Sequence, residues 1–265
     1  MTITESTITA SLAELIEPAP EHVTTGILLA VGLADRVATI AGPLGPVRVF
    51  FTDVGVSGLV PEDRFDEYVA RRSTRPHVVV DALPRALAGK VRKALDTGRL
   101  GTLPVDLAGL SEFQQAVLRK TAEIPPGELR PYGWVAREIG KPGSTRAVGT
   151  ALNRNPVPIL IPCHRVNRGD GSIGQYGFGP EMKRELLTHE GLDPDQLEAD
   201  AARGVRLTGS DTTSIYCWPT CRHAKRTTAQ HRVEFRSDRD AIAAGYRACK
   251  VCRPPVPTEV AAATG

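Results

Sequence analysis

Sulfur is scarce in this chain: its 265 residues hold five cysteines and two methionines. Four of the cysteines fall in two tight pairs, Cys217/Cys221 and Cys249/Cys252, and Cys163 stands apart from them. That usage excludes a disulfide scaffold and fits a reducing, cytoplasmic setting. No apolar run approaches the roughly 20 residues that span a bilayer, so no membrane partner is expected. The segment Met1 to Glu21 is acidic and Thr-rich and lacks the pattern of a secretory signal. A strong charge of one sign is also missing, since 33 Lys/Arg against 30 Asp/Glu leave +3. The small excess is unevenly placed. Asp211 to Arg253 holds nine Lys/Arg against four Asp/Glu, which points that segment toward a polyanion. Length and an ordinary apolar fraction of 41% allow two or three globular domains.

Short apolar runs at Ile27–Val31, Val37–Ile40, Val47–Phe51 and Val54–Val60 read as strands of a meander, separated by Gly-Pro and Asp-containing turns. Amphipathic helices follow over Glu62–Arg72 and Leu83–Leu95. Ser111, with Gln114 three residues on, makes a capping box for the next helix, which Pro125-Pro126-Gly127 ends. A short helix from Gly133 to Ile139, a turn at Lys141-Pro142-Gly143 and a helix capped by Ser144 and ending near Arg154 have the form of a helix-turn-helix. Pro180 opens a helix through His189, with Gly191 as its C-terminal stop. Residues 192–210 read as a polar linker.

Two clusters carry chemistry. In Pro162-Cys163-His164-Arg165-Val166 an imidazole adjoins a thiol, as expected of a working nucleophile. A free thiol has a pKa of about 8.5 and needs a base to become a thiolate. On a regular strand Cys163 and His164 would face opposite ways, so either Pro162 bends the segment or a water bridges the two groups. The second cluster, Cys-x3-Cys followed by Cys-x2-Cys, has the spacing of a zinc site with Cys217, Cys221, Cys249 and Cys252 as ligands. Gly169-Asp170-Gly171-Ser172-Ile173-Gly174 matches G-x-G-x-x-G, but its third glycine opens no helix, so it reads as a Gly-rich substrate loop around Tyr176.

Phe113-Gln114, Ile124-Pro125, Tyr132-Gly133, Arg146 to Gly149, Asn155-Pro156, Pro162 to Val166, Asp170-Gly171 and Lys183 to Glu190 occur in that order. Together they make the chain, over roughly residues 25–192, resemble the O6-alkylguanine-DNA alkyltransferase family. The C-terminal cysteines, with Thr213 to Tyr216 and Ala244 to Arg247, are similar to the zinc-binding, methylphosphotriester-accepting domain of bacterial Ada proteins. The resemblance implies a multidomain α/β chain with three folded parts. These are an RNase H-like N-terminal domain (residues 1–105, with a flexible leader), a helical, winged helix-turn-helix-like alkyltransferase domain (106–195) and a small α+β zinc domain (211–256). A linker at 196–210 and a tail at 257–265 complete the division.

The same resemblance implies the roles. Cys163 would irreversibly accept the alkyl group of O6-alkylguanine, and of O4-alkylthymine, in double-stranded DNA. His164 would act as its base through a water, Glu190 would orient His164, and Tyr132 would donate a proton to the leaving oxygen. Asn155, before Pro156, would fix the preceding helix against the Cys163 segment. Arg146 would fill the stack left by a flipped base, with Ala147, Gly149, Thr150 and Tyr176 against DNA, while Val148 and Leu152 turn to the core. No organic cofactor is implied, and the protein would act as a monomer. Cys217, the first zinc ligand, would accept methyl from DNA phosphotriesters; a purely structural zinc ribbon is the alternative. Gly177 stands where relatives carry serine, and Ala248 where they carry proline. Two other classes compete, a methylation-responsive DNA-binding regulator and a thiol hydrolase built on Cys163 and His164.

Overall fold

The computed structural model describes residues 21–72 and 75–256. The leader and the tail expected at 257–265 lie outside the described residues, apart from the end of the former. Three antiparallel strands, β1 (Asp35–Gly42), β2 (Gly45–Phe51) and β3 (Val56–Pro61), form the expected meander. A short β4 (His77–Val79), not foreseen, pairs parallel to β1 and completes the order β3-β2-β1-β4. The apolar run at Ile27–Val31, expected as a strand, lies instead mostly in helix α1 (Glu21–Ala30). A short apolar run does not distinguish strand from helix by period alone. Here Gly32, at φ +71, ends the helix, and Leu33 N–H closes back on Leu28 O at 2.7 Å. The helix expected over Glu62–Arg72 begins as a 3-10 turn and continues as α2 (Phe65–Arg72), and the next is α3 (Arg85–Thr97).

Helices α4 (Glu112–Ala122), α5 (Tyr132–Glu138) and α6 (Thr145–Asn153) pack on one another as the central bundle. The capping box is present: Ser111 Oγ accepts from Gln114 N, and Ser111 N donates to Gln114 Oε1 at 3.1 Å. Ser144 precedes α6 as foreseen, but its hydroxyl donates to Lys141 O at 2.6 Å and does not cap the helix. One apolar core runs unbroken from β1 and β2 through Leu118, Trp134 and Val148 to Leu186 on α7 (Pro180–His189).

The stretch expected as a linker is folded. Asp193 accepts from Asp195 N and Gln196 N and so caps α8 (Pro194–Ala202), with Pro194 at its first turn. Strand β7 (Leu207–Ser210) follows and joins β8 (Ile215–Cys217), β9 (Arg232–Phe235) and β10 (Arg247–Ala248) in a sheet of order β10-β8-β7-β9. The polar composition of 192–210 hid a short capped helix whose stability comes from tertiary contact. Helix α9 (Asp238–Ala243) covers this sheet over Leu207, Tyr216 and Phe235.

Ser111→Ala removes one helix cap and is expected to lower the unfolding free energy by about 1 kcal/mol, read from urea denaturation.

Candidate active site and metal centre

A two-stranded parallel pair organises the first site: β5 (Arg130–Pro131) lies against β6 (Val166–Asn167). Tyr132 follows β5 directly and Cys163 to Arg165 precede β6, so in this parallel pair they leave the two-residue ladder at opposite ends, yet the phenol stays close enough to the thiol to feel its charge. The segment at Cys163 is not a regular strand but a 3-10 turn, Cys163–Arg165. Pro162 bends the chain into it, at φ −81 and ψ 65, while Cys163 N–H bonds Ile161 O at 2.8 Å. Just upstream, Ile159 is held at φ +70, a left-handed conformation that a β-branched residue adopts only when its surroundings impose it.

Asn155 holds the thiol in place. Its Nδ2 donates to Cys163 Sγ at 3.2 Å and to Ile161 O at 2.9 Å, while its Oδ1 accepts from Val157 N at 3.0 Å. His164 is buried. Its Nε2 lies 2.8 Å from Glu190 Oε1, and its Nδ1 is buried without a hydrogen-bond partner among the described residues. Burial lowers the His164 pKa below its usual value, against the upward pull of Glu190. Glu190 also receives Arg165 Nε and Nη2 and, at Oε2, the backbone N–H of Gly127 at 2.9 Å. Burial alone would raise its pKa, but the bonds from His164 and Arg165 prevail and hold it down at about 2.

Tyr132 is half-buried, and its pKa is raised first by burial and then by negative charge at Cys163. Its hydroxyl therefore keeps its proton. Tyr176, half-buried with a buried hydroxyl, sits edge-on to His164 with ring centres 6.2 Å apart. On α6, Val148 and Leu152 are buried as anticipated, together with Ala151, and Arg146, Ala147, Thr150 and Asn153 are exposed. Gly149 faces the tyrosine: a Cβ there would lie 3.9 Å from Tyr132 Cε1. The exposed face of α6 thus adjoins the phenol. The G-x-G-x-x-G stretch is a tight turn in which Asp170 accepts from Ser172 N and Oγ, and it opens no helix.

Two charged residues without an assigned sequence role belong to this site. Arg165 is wholly buried, and besides Glu190 it bonds Ile124 O and Gly98 O, each at 2.8 Å. Lys183 is also wholly buried, donating to Val166 O at 2.7 Å, and burial lowers its pKa to about 8 while negative charge at Cys163 opposes the shift. The signal was available for Lys183. It falls in the apolar stripe of α7 with Leu186 and Leu187, where an unpaired lysine would be costly.

The second site gathers Cys217, Cys221, Cys249 and Cys252, all buried, with their Sγ atoms within 4.8 Å of one another. Four thiolates at that separation match a tetrahedral zinc ion with ~2.3 Å Zn–S bonds, and the donor set fits zinc. Cys217 and Cys249 line a cleft of about 510 Å³, together with His223, Arg226, Arg247 and Lys250. His231 pairs with Asp211 at 2.9 Å and lies outside the cluster.

Glu190→Gln would leave the buried Arg165 charge uncompensated and cost about 3–5 kcal/mol at neutral pH. A carboxylate with a depressed pKa contributes its full stability above about 4.5 and loses it as pH falls toward 2. The gap between wild type and Glu190→Gln should therefore narrow below pH 4.5 in urea unfolding. Atomic emission should find one zinc ion per chain, lost in both Cys221→Ser and Cys252→Ser.

Residues 112–192 match the 6-O-methylguanine DNA methyltransferase DNA-binding domain, and residues 196–255 match the metal-binding domain of Ada. The crystal structure of Mycobacterium tuberculosis OGT in complex with DNA aligns with TM-score 0.50 and 32% identity, covering 59% of this chain and 93% of that one. A methylated-DNA–protein-cysteine methyltransferase from Shigella flexneri is 33% identical over 167 residues, covering 60% of this chain and 95% of the relative. The corresponding protein of Mycobacterium tuberculosis H37Rv is 40% identical over 156 residues, spanning 57% of this chain and 90% of its own length. With the thiol, imidazole and carboxylate brought together and these likenesses over nearly whole relatives, the chain belongs to the methylated-DNA–protein-cysteine methyltransferase family.

Proposed function

We propose that the protein repairs alkylated double-stranded DNA by direct reversal, moving the alkyl group of O6-alkylguanine onto Cys163 in a single turnover. The observation that carries this reading is the Asn155–Cys163 bond beside the buried His164–Glu190 pair. Glu190 stays ionised and His164 stays neutral at neutral pH, so His164 can take the thiol proton through Nδ1 and one intervening water. Asn155 Nδ2 and the Lys183 charge then stabilise the thiolate. The sulfur lone pair attacks the alkyl carbon, and the C–O bond breaks with its electrons on O6. Tyr132, which keeps its proton, donates it toward the departing guanine. The product is a thioether that nothing in the site reverses.

The target base must leave the duplex to reach a half-buried thiol. Arg146 would occupy the space it vacates, with Ala147, Gly149 and Thr150 lying against the groove and Tyr176 against the flipped base. A winged helix-turn-helix reading of α5 and α6 suits this use, and an RNase H-like reading suits the sheet of β1 to β4. We place the division between these parts near residue 105 and the start of the zinc module near 196, so that the module takes in α8 and β7. The protein would act as a cytoplasmic monomer. Among the described residues no helix is long and apolar enough to cross a membrane.

In the zinc module Cys217, Cys221, Cys249 and Cys252 would hold the ion, which keeps all four sulfurs deprotonated at neutral pH. Cys217 opens on a cleft whose Arg226, Arg247 and Lys250 suit a DNA backbone. Its sulfur is therefore our candidate acceptor for methyl from a phosphotriester.

Incubation with methylated DNA bearing both base and phosphotriester lesions, followed by peptide mass spectrometry, tests both assignments. One methyl is expected on the Cys163 peptide and one on the Cys217 peptide. Cys163→Ala should abolish the first and spare the second. Methyl on Cys163 alone would leave the zinc module structural, and methyl on neither would refute the repair reading.

A further inference from the structure

The zinc module is docked on the loop that supports the nucleophile's base. Leu129 N donates to Thr220 Oγ1 at 2.7 Å, and Arg222 N donates to Glu128 Oε1 at 3.3 Å. Lys225 Nζ donates to Gly127 O at 2.8 Å. Thr220, Glu128, Leu129 and Arg130 are all at least 95% buried at this seam. The loop is held equally firmly from its other side, where Gly127 N donates to Glu190 Oε2 and Arg130 pairs with Val166 in the β5–β6 ladder. Gly127 sits at φ +68, and a Cβ there would come within 2.9 Å of Glu190 O and 3.3 Å of Lys225 Nζ. Only glycine allows so close an approach from both sides. A second contact reinforces the first: Arg137 Nη2 donates to Arg253 O at 2.6 Å, and Arg253 pairs with Glu138 at 2.5 Å.

A short covalent and hydrogen-bonded path therefore connects the two cysteine sites. Cys221 O accepts Lys225 N at 2.9 Å, Lys225 reaches Gly127, Gly127 reaches Glu190, and Glu190 reaches His164 beside Cys163. Thr220 precedes Cys221 directly, so folding of the four-cysteine cluster fixes both Thr220 and Lys225.

We propose that the zinc-bearing module positions Glu190 through Thr220 and Lys225, and so sets the reactivity of Cys163. This rests on the proposed role of Cys163 as the alkyl acceptor. Lys225 is a positioning residue; it acts through Gly127 and Glu190 and touches no reacting atom. With its ammonium gone, the loop loosens, Glu190 holds His164 less well, and His164 becomes a weaker base.

The test uses the full zinc-loaded chain and Lys225→Met, which keeps the aliphatic stem of an exposed side chain. Arg165, Lys183, Tyr176 and Cys163 itself face the His164–Glu190 pair and are unchanged in the variant. Alkylation of the Cys163 peptide is followed by mass spectrometry with two reagents. One is a duplex carrying O6-methylguanine, and the other is iodoacetamide without DNA. Loss of one net hydrogen bond is expected to slow both reactions about three- to tenfold near pH 7. The iodoacetamide rate should converge with wild type at high pH, where the thiol ionises unaided, and Lys225→Arg should restore it. A second arm strips zinc with a chelator and follows amide hydrogen exchange, which should quicken at Gly127 and Leu129. Unchanged iodoacetamide rates in Lys225→Met, or unchanged exchange at Leu129, would overturn the proposal. Slowing with the duplex alone would do the same, assigning Lys225 to DNA contact. Failure of wild-type Cys163 to take methyl from the duplex would instead overturn its role as acceptor.

Discussion

Glu190 is the joint on which the structure turns. Its two carboxylate oxygens receive the His164 ring, the Arg165 guanidinium and the Gly127 backbone. Through Arg165 the same carboxylate reaches the carbonyl after α3 and the carbonyl after α4, at Gly98 and Ile124. A buried ionic group is tolerated only when every valence is satisfied, and here that demand draws four separate segments together. The bonds that hold His164 beside Cys163 are also the bonds that hold the domain.

The surroundings divide the labour by charge state. Burial disfavours the cation at His164 and the anion at Tyr132, leaving one group ready to accept a proton and the other ready to give one. Glu190 goes the other way because the bonds and charges of His164 and Arg165 outweigh its desolvation. Lys183 contributes a cation that burial weakens but does not remove near neutral pH. Groups of opposite function thus share one apolar wall without neutralising each other.

Much of this was legible from residue order alone. Binary patterning gave the meander, the Ser111/Gln114 spacing gave the cap, and Val148 and Leu152 marked the inner face of α6. The Cys163 and four-cysteine clusters were readable because few other residue combinations supply such chemistry at such spacing. What escaped was tertiary in origin. A five-residue apolar run at Ile27–Val31 carries no period, and its helix depends on the stop at Gly32. Residues 192–210 looked like a linker because a short helix capped by Asp193 needs few apolar positions. At Cys163 the residue order left a bend at Pro162 and a bridging water both open, and only the folded chain shows the bend. Nothing in the sequence announced that Thr220 would meet Leu129 across 91 residues.

The chain contains two tryptophans, and both border the seam between the halves. Trp134 is buried, with the guanidiniums of Arg130 and Arg253 each 5.8 Å from its ring centre. Trp218 lines a crevice with Leu129, Leu197 and Thr220. Intrinsic ultraviolet emission from this protein is therefore not an average over its folded mass. It is a local signal from one boundary, and the chain carries its own optical probe of whether its two cysteine centres are joined.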